Sequence, residues 1–248
     1  MKGLFKPDDA IHYQGESFEY RLVHRPRVTR RVHLELAEDG GLLVVAPPGM
    51  SRRAVRRSLQ QKAGRVARFV AVARSRQRDL PVLNYAEGEH HLYLGESLTL
   101  KVHATGSSRS KVTLDRSALV IETGNPQPAY LRDLLRRWYR EQAGQVFTER
   151  LRIISAQAAW TGGHTPPLRM RRMKRTWGNC SAAGLLTLNT HLVKAPPRLV
   201  DYVIAHEVCH LREHNHGKAF YALQEQLYPD WRSARTELRA RGHVYLHE

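Results

Sequence analysis

His206-Glu207-Val208-Cys209-His210, with His216 six residues further on, is the stretch on which the reading of this chain turns. In an α-helix, residues four apart stack one turn above each other, so His206 and His210 present two imidazoles on one face. Glu207 lies about 100° around the helix from His206. From there its carboxylate reaches a metal-bound water without becoming a ligand. Three protein ligands and one open position make a catalytic rather than a structural zinc site. Leu199, Val200, Val203, Ile204 and Leu211 form an apolar stripe around the motif, and Pro196-Pro197 suit a first turn. A buried helix over about 196–213 is therefore predicted.

Glu213, His214 and His216 compete for the third ligand position. If the helix ran on, His214 would stand about 12 Å above His206, too far to share one ion with it, and Glu213 has the same difficulty in milder form. His216 needs the chain to leave the helix first. Asn215 suits that through the left-handed conformation, and Gly217 adds freedom. The spacing favours His216 and leaves the other two, or a distant residue, as alternatives.

A chain of 248 residues holds one large domain or two small ones. No stretch approaches the roughly 20 apolar residues that span a bilayer, and Met1 to Tyr20 lacks the pattern of a signal peptide. Cys180 and Cys209 are the only cysteines, which argues against a disulfide framework and fits a reducing, cytoplasmic setting. The net charge of +17 favours polyanionic partners such as nucleic acid or nucleotides. Ser51 to Arg78 carries ten basic residues and no acidic one. A second basic cluster spans Arg169 to Arg175. For the first cluster a solvated surface and a binding role weigh about evenly; the second is the more telling, because its strand is expected to flank the active site.

The first fifty residues read as strands at Phe18–His24, Val32–Leu36 and Leu42–Ala46, with Glu38-Asp39-Gly40-Gly41 as a turn. Ser51 caps a long basic helix to about Arg78. Strands follow at Leu98–Ala104, Lys111–Asp115 and Leu119–Glu122. No internal repeat is evident. Beyond a linker at Gly124–Pro128 comes a long helix over about 129–158. Strands at Pro167–Lys174 and Leu185–Leu192 flank Trp177-Gly178-Asn179-Cys180-Ser181. After the metal helix, Lys218–Leu227 and Trp231–Arg239 read as helices. The fold class is thus α+β. A small β-rich module with a basic helix occupies 1–124. A domain of long helix, small sheet and H-E-x-x-H helix occupies 125–248, able to present an edge strand to an extended peptide.

The segment Met173–Leu238 resembles the YgjP-like family of zinc metallopeptidases, which is similar to the SprT-like proteases and belongs with the minimal zincins. The resemblance rests on Trp177-Gly178-Asn179-Cys180-Ser181, Leu186-Thr187-Leu188-Asn189, Pro196-Pro197, Tyr202-Val203, the H-E-x-x-H stretch, and Asn215-His216 with Phe220. Weaker similarity extends upstream through Arg30-Arg31, Ala46-Pro47 and Tyr93-Leu94-Gly95. Thr176 and Asn179 depart from the family's usual Arg and Ser. The resemblance implies a zincin-like domain holding one zinc per chain on His206, His210 and His216, with Glu207 as catalytic acid and base. Arg175, Asn179 and Asn189 are its candidate substrate-binding residues, and Tyr202, His191, Asn179 and Arg175 are candidates to stabilise an oxyanion. A peptide or protein is the implied substrate. The family's link to nucleoside triphosphate pyrophosphohydrolysis supplies an alternative, with Arg169–Arg175 gripping phosphates. A third reading is a basic nucleic-acid-binding protein with a structural metal.

Overall fold

In the computed structural model of the chain, the structure describes residues 6–26, 28, 31–37, 41–78, 80–174 and 176–248. The Glu38–Gly40 turn, Arg30 and Arg175 lie outside them. The chain divides into two compact units, residues 1–81 and 82–248.

The first unit has strands β1 (Asp9–Tyr13), β2 (Glu16–His24), β3 (His33–Leu36) and β4 (Leu42–Ala46) in the order β1-β2-β4-β3. Alternation along β2 turns Phe18 and Tyr20 inward to meet Ile11 and Val44. Ser51 caps the next helix as expected, its Oγ accepting from the Ala54 amide at 3.2 Å. The single basic helix predicted to Arg78 is in fact two, α1 (Arg52–Gln60) and α2 (Ala63–Arg78). The break at Gln61-Lys62 tightens to a Lys62 N–H donating to Leu59 O at 3.0 Å. It lets Val55 and Leu59 on one helix, and Ala63, Val66 and Val70 on the other, join the same core.

The second unit begins with β5 (His90–Tyr93), β6 (Glu96–Ala104), β7 (Lys111–Asp115) and β8 (Ala118–Thr123), in the order β5-β6-β8-β7. This repeats the first sheet strand for strand and corrects the expectation of no internal repeat. Tyr13-Gln14-Gly15-Glu16-Ser17-Phe18 matches Tyr93-Leu94-Gly95-Glu96-Ser97-Leu98. The registers agree: Ile11 faces Phe18 as His91 faces Leu98, and Leu42 and Leu119 each pair a parallel strand on one side and an antiparallel one on the other. Both hairpins close through two residues of positive φ, Gln14-Gly15 and Leu94-Gly95, the backbone that the right-handed twist of a two-residue hairpin demands.

The boundary expected at 124/125 falls instead after Pro81, because the second sheet shares a core with the helix that follows it. That helix, α3 (Pro128–Gln157), buries Leu131, Leu134, Leu135 and Trp138 in one cluster with Leu98, Leu100, Leu119 and Ile121. The β5–β6 hairpin also supports the approach to the metal helix. The Leu94 amide donates to Val193 O at 2.8 Å and the Gly95 amide to Lys194 O at 3.1 Å. A Cβ on Gly95, where φ is +88, would lie 2.8 Å from Pro196 Cγ. Gly95→Ala is therefore expected to destabilise the fold by about 1–3 kcal/mol. Chemical denaturation will measure this, and a loss below a few tenths would contradict the docking.

Three short strands follow: β9 (Leu168–Arg171), β10 (Gly178–Cys180) and β11 (Leu186–Asn189), in the order β10-β11-β9. The strand β10 lies in the Trp177–Ser181 stretch, for which the sequence suggests no element of its own. The metal helix is α4 (Pro197–Cys209), then come α5 (Lys218–Leu227) and α6 (Trp231–Tyr245). α4 is buried nearly all round, as a core helix is. Arg150 on α3 clamps it through two bonds of 2.6 Å to the Asp201 carboxylate.

Candidate active site

α4 stops earlier than predicted. Its last turn tightens, with Leu211 N–H donating to Val208 O at 3.2 Å and Arg212 N–H to Cys209 O at 3.1 Å. The chain then folds back over His210, whose Nδ1 lies 2.9 Å from Glu213 O. Asn215 is not left-handed, and Gly217 has φ −87. The early exit carries His216 back beside the helix.

His206, His210 and His216 each offer a ring nitrogen, all within 4.8 Å of one another. Gln224 Oε1 lies 3.0 Å from His206 Nδ1, so that nitrogen carries the proton and Nε2 presents a bare lone pair. The Glu213 carbonyl sets the same tautomer on His210. His216 Nε2 lies 3.0 Å from His206 Nε2, near the roughly 3.3 Å between two nitrogens sharing a tetrahedral zinc. Burial, then the neighbouring His210 and His216, hold His206 down to about 4. His210 is lowered too, chiefly by burial. Neutral imidazoles are the form a metal needs. The donor set therefore fits one zinc, with Glu213 and His214 outside the cluster.

Phe220, already part of the family motif, and Gln224, which sequence reading missed, support the site from α5. The Phe220 ring is fully buried and lies 4.9, 4.6 and 4.6 Å from the rings of His206, His210 and His216. It is an apolar backstop for all three. Gln224→Leu is expected to weaken zinc binding about tenfold or more by freeing the His206 ring. Competition against a chromogenic chelator measures it, and an unchanged affinity would remove Gln224 from the site.

Glu207 is 5% exposed, and its Oε2 has no hydrogen-bond partner among the described residues. Burial pushes its carboxyl up to about 8. Gly178 on β10 forms the wall facing it: a Cβ there would come within 2.6 Å of Glu207 Oε1. The glycine is needed for space, since its φ is not positive. Cys209 is fully buried and its thiol is pushed up to about 12, by burial and then by Glu207, which makes it an inert packing residue.

The structure reassigns several candidates. Asn189 is wholly buried, and its side chain is saturated: Oδ1 accepts from the Met173 and His191 amides at 3.2 and 3.1 Å, and Nδ2 donates to Met173 O and Thr176 O at 2.8 and 2.9 Å. It holds the 173–176 loop and has nothing left for a substrate. Asn179 alternates with Gly178 along β10, so its side chain lies on the opposite face from Glu207. His191 is buried beside Glu248, 3.0 Å from Oε1, and cannot serve an oxyanion at the metal. Arg171 and Arg172 line a separate cavity with Arg136, Arg140 and Lys194, away from Glu207. That counts against a phosphate grip by this cluster at the metal. Tyr202 does line the cavity beside His206 and Glu207. Arg175 lies outside the described residues.

The model of the YgjP-like family, metallopeptidase domain, matches residues 30–241. The crystal structure of the metallopeptidase zymogen of Pyrococcus abyssi abylysin is similar at 21% identity, covering 41% of this chain and 94% of that one with a TM-score of 0.32. That of Methanocaldococcus jannaschii jannalysin is similar at 20% identity, covering 41% and 96% with a TM-score of 0.31. No curated protein matches.

Proposed function

The chain belongs to the YgjP-like metallopeptidase family, and from that premise we propose that it is a one-zinc peptidase in which Glu207 moves the protons. The observation that carries this reading is the buried Glu207 carboxyl, whose Oε2 has no hydrogen-bond partner among the described residues, beside three convergent imidazoles. His206, His210 and His216 would hold the metal. Bound there, zinc supplies Lewis acidity, polarising a carbonyl and lowering the pKa of water towards about 7.

The protein's own groups do the rest. An unpartnered carboxyl is free to hydrogen-bond the attacking water. As a carboxylate it takes a proton from that water, and as a carboxylic acid it then delivers the proton to the departing amine. Gly178 keeps the space into which the carboxylate projects. β10 is an edge strand, so its free side offers backbone groups to an extended peptide. That pairing would lay a scissile carbonyl across the face of α4. A peptide or protein is accordingly the substrate we assign. No described helix is long and apolar enough to cross a membrane.

The test is elemental analysis of untagged protein together with hydrolysis of a quenched-fluorescent peptide library. Near one zinc per chain is expected, with cleavage abolished by chelation and restored by zinc. Release of pyrophosphate from nucleoside triphosphates, with no peptide cleaved, would sink the peptidase reading.

A further inference from the structure

A cavity of about 280 Å³ opens directly beside His206 and Glu207. Trp177, Val203 and Leu238 give it apolar walls, and Arg235 and Arg239 line it as well. The two arginines are four apart on α6 and so project from one face of it. No carboxylate other than Glu207 lines the space.

The nearby acids are committed elsewhere. Glu237 pairs with Arg198 at 2.7 Å, and Glu225 accepts from Arg232 at 2.5 Å and from Trp231 Nε1 at 2.7 Å. Arg235 makes no ion pair with a carboxylate among the described residues; its guanidinium lies 6.0 Å from the Trp231 ring centroid. A cation on an apolar-walled cavity interacts with an incoming anion far more strongly than one in open water. A guanidinium also presents a planar fork that a carboxylate fills with two parallel hydrogen bonds. The volume suits one amino-acid side chain and not a second domain or helix.

We propose that this cavity is a specificity pocket that takes a glutamate or aspartate side chain of the substrate, beside the bond to be cut, with Arg235 as its anion receptor. The inference rests on the peptidase reading and narrows it to acidic peptides. Arg235 would repel lysine and arginine side chains, which gives selection by exclusion as well as by attraction.

The experiment measures binding rather than turnover. Zinc-loaded, full-length Glu207→Gln protein is titrated with labelled alanine-based octapeptides in which a single Glu, Gln or Lys is moved through every position. At one position Glu should bind about tenfold tighter than Gln, and Lys more weakly than either. In Arg235→Gln the Glu advantage should vanish, and in Arg235→Glu the order should turn towards Lys. Zinc content and melting temperature of each variant establish that the site is intact. Equal binding of Glu and Gln peptides everywhere, or a preference that survives Arg235→Gln, would overturn the proposal. So would nucleoside triphosphate displacing the Glu peptide and itself being hydrolysed by wild type. A Glu preference with no cleavage of that peptide by wild type would uphold the pocket and refute the peptidase reading. Cleavage without any Glu preference would do the reverse.

Discussion

Glu207→Gln is expected to lower peptide hydrolysis by about a thousandfold or more while leaving zinc bound. General acid–base groups contribute roughly 10²–10⁴ to a rate, and in the proposed mechanism one carboxyl serves both proton transfers. Gln has the same shape and fills the same space, but it cannot accept a proton. Its amide also removes the cost of burying a carboxylate in a site where Oε2 finds no partner among the described residues. Melting temperature should therefore hold or rise, which separates this loss from unfolding. Zinc analysis of the variant and single-turnover rates make the measurement. A variant that retains a tenth of wild-type activity would assign the proton transfer to another group.

Gly178→Ala is expected to cost about a hundredfold in activity, through a methyl group on a strand. The added Cβ would lie 2.6 Å from Glu207 Oε1, 2.8 Å from Cγ and 2.9 Å from Cδ, distances that no packed side chain tolerates. Either the carboxyl swings away or β10 shifts on its edge. Displacing a reacting group by about 1 Å is enough for a loss of this size. The histidines proposed to hold zinc lie on α4 and the segment after it, so metal content should be unchanged. The informative readout is the split between kcat and KM. A displaced base lowers kcat, whereas a displaced edge strand raises KM. Wild-type kinetics in this variant would show that Glu207 acts from a different rotamer.

The repeated hairpin shows how legible the sequence was, and where reading it failed. Tyr-x-Gly-Glu-Ser occurs twice, at 13–17 and 93–97. The first strand of each hairpin, β1 and β5, was missed. The second copy buries His91 where the first has Ile11, and that exchange hides the repeat from any scan for apolar alternation. Burial drives His91 down to about 4, so it packs as a neutral ring. β10 escaped for a different reason: three residues are too few to show a period. Asn189 drew attention as a polar residue in the T-L-N strand, yet its hydrogen bonds are all spent on backbone groups of Met173, Thr176 and His191.

The amino-acid sequence by itself determined what depends on local spacing. Helical periodicity places His206, Glu207 and His210, Ser51 caps α1, and the apolar stripe of α3 follows from its own 3.6-residue repeat. These are settled by the backbone geometry of a single segment. The tertiary structure decided everything that needs two distant segments to meet. Only folding brings Gly178 against Glu207, Gln224 to His206, Phe220 behind three imidazoles, and Arg235 into the cavity beside the metal site. Such contacts depend on chain reversals and on which side chains the core leaves unpaired, and no period in the sequence records either.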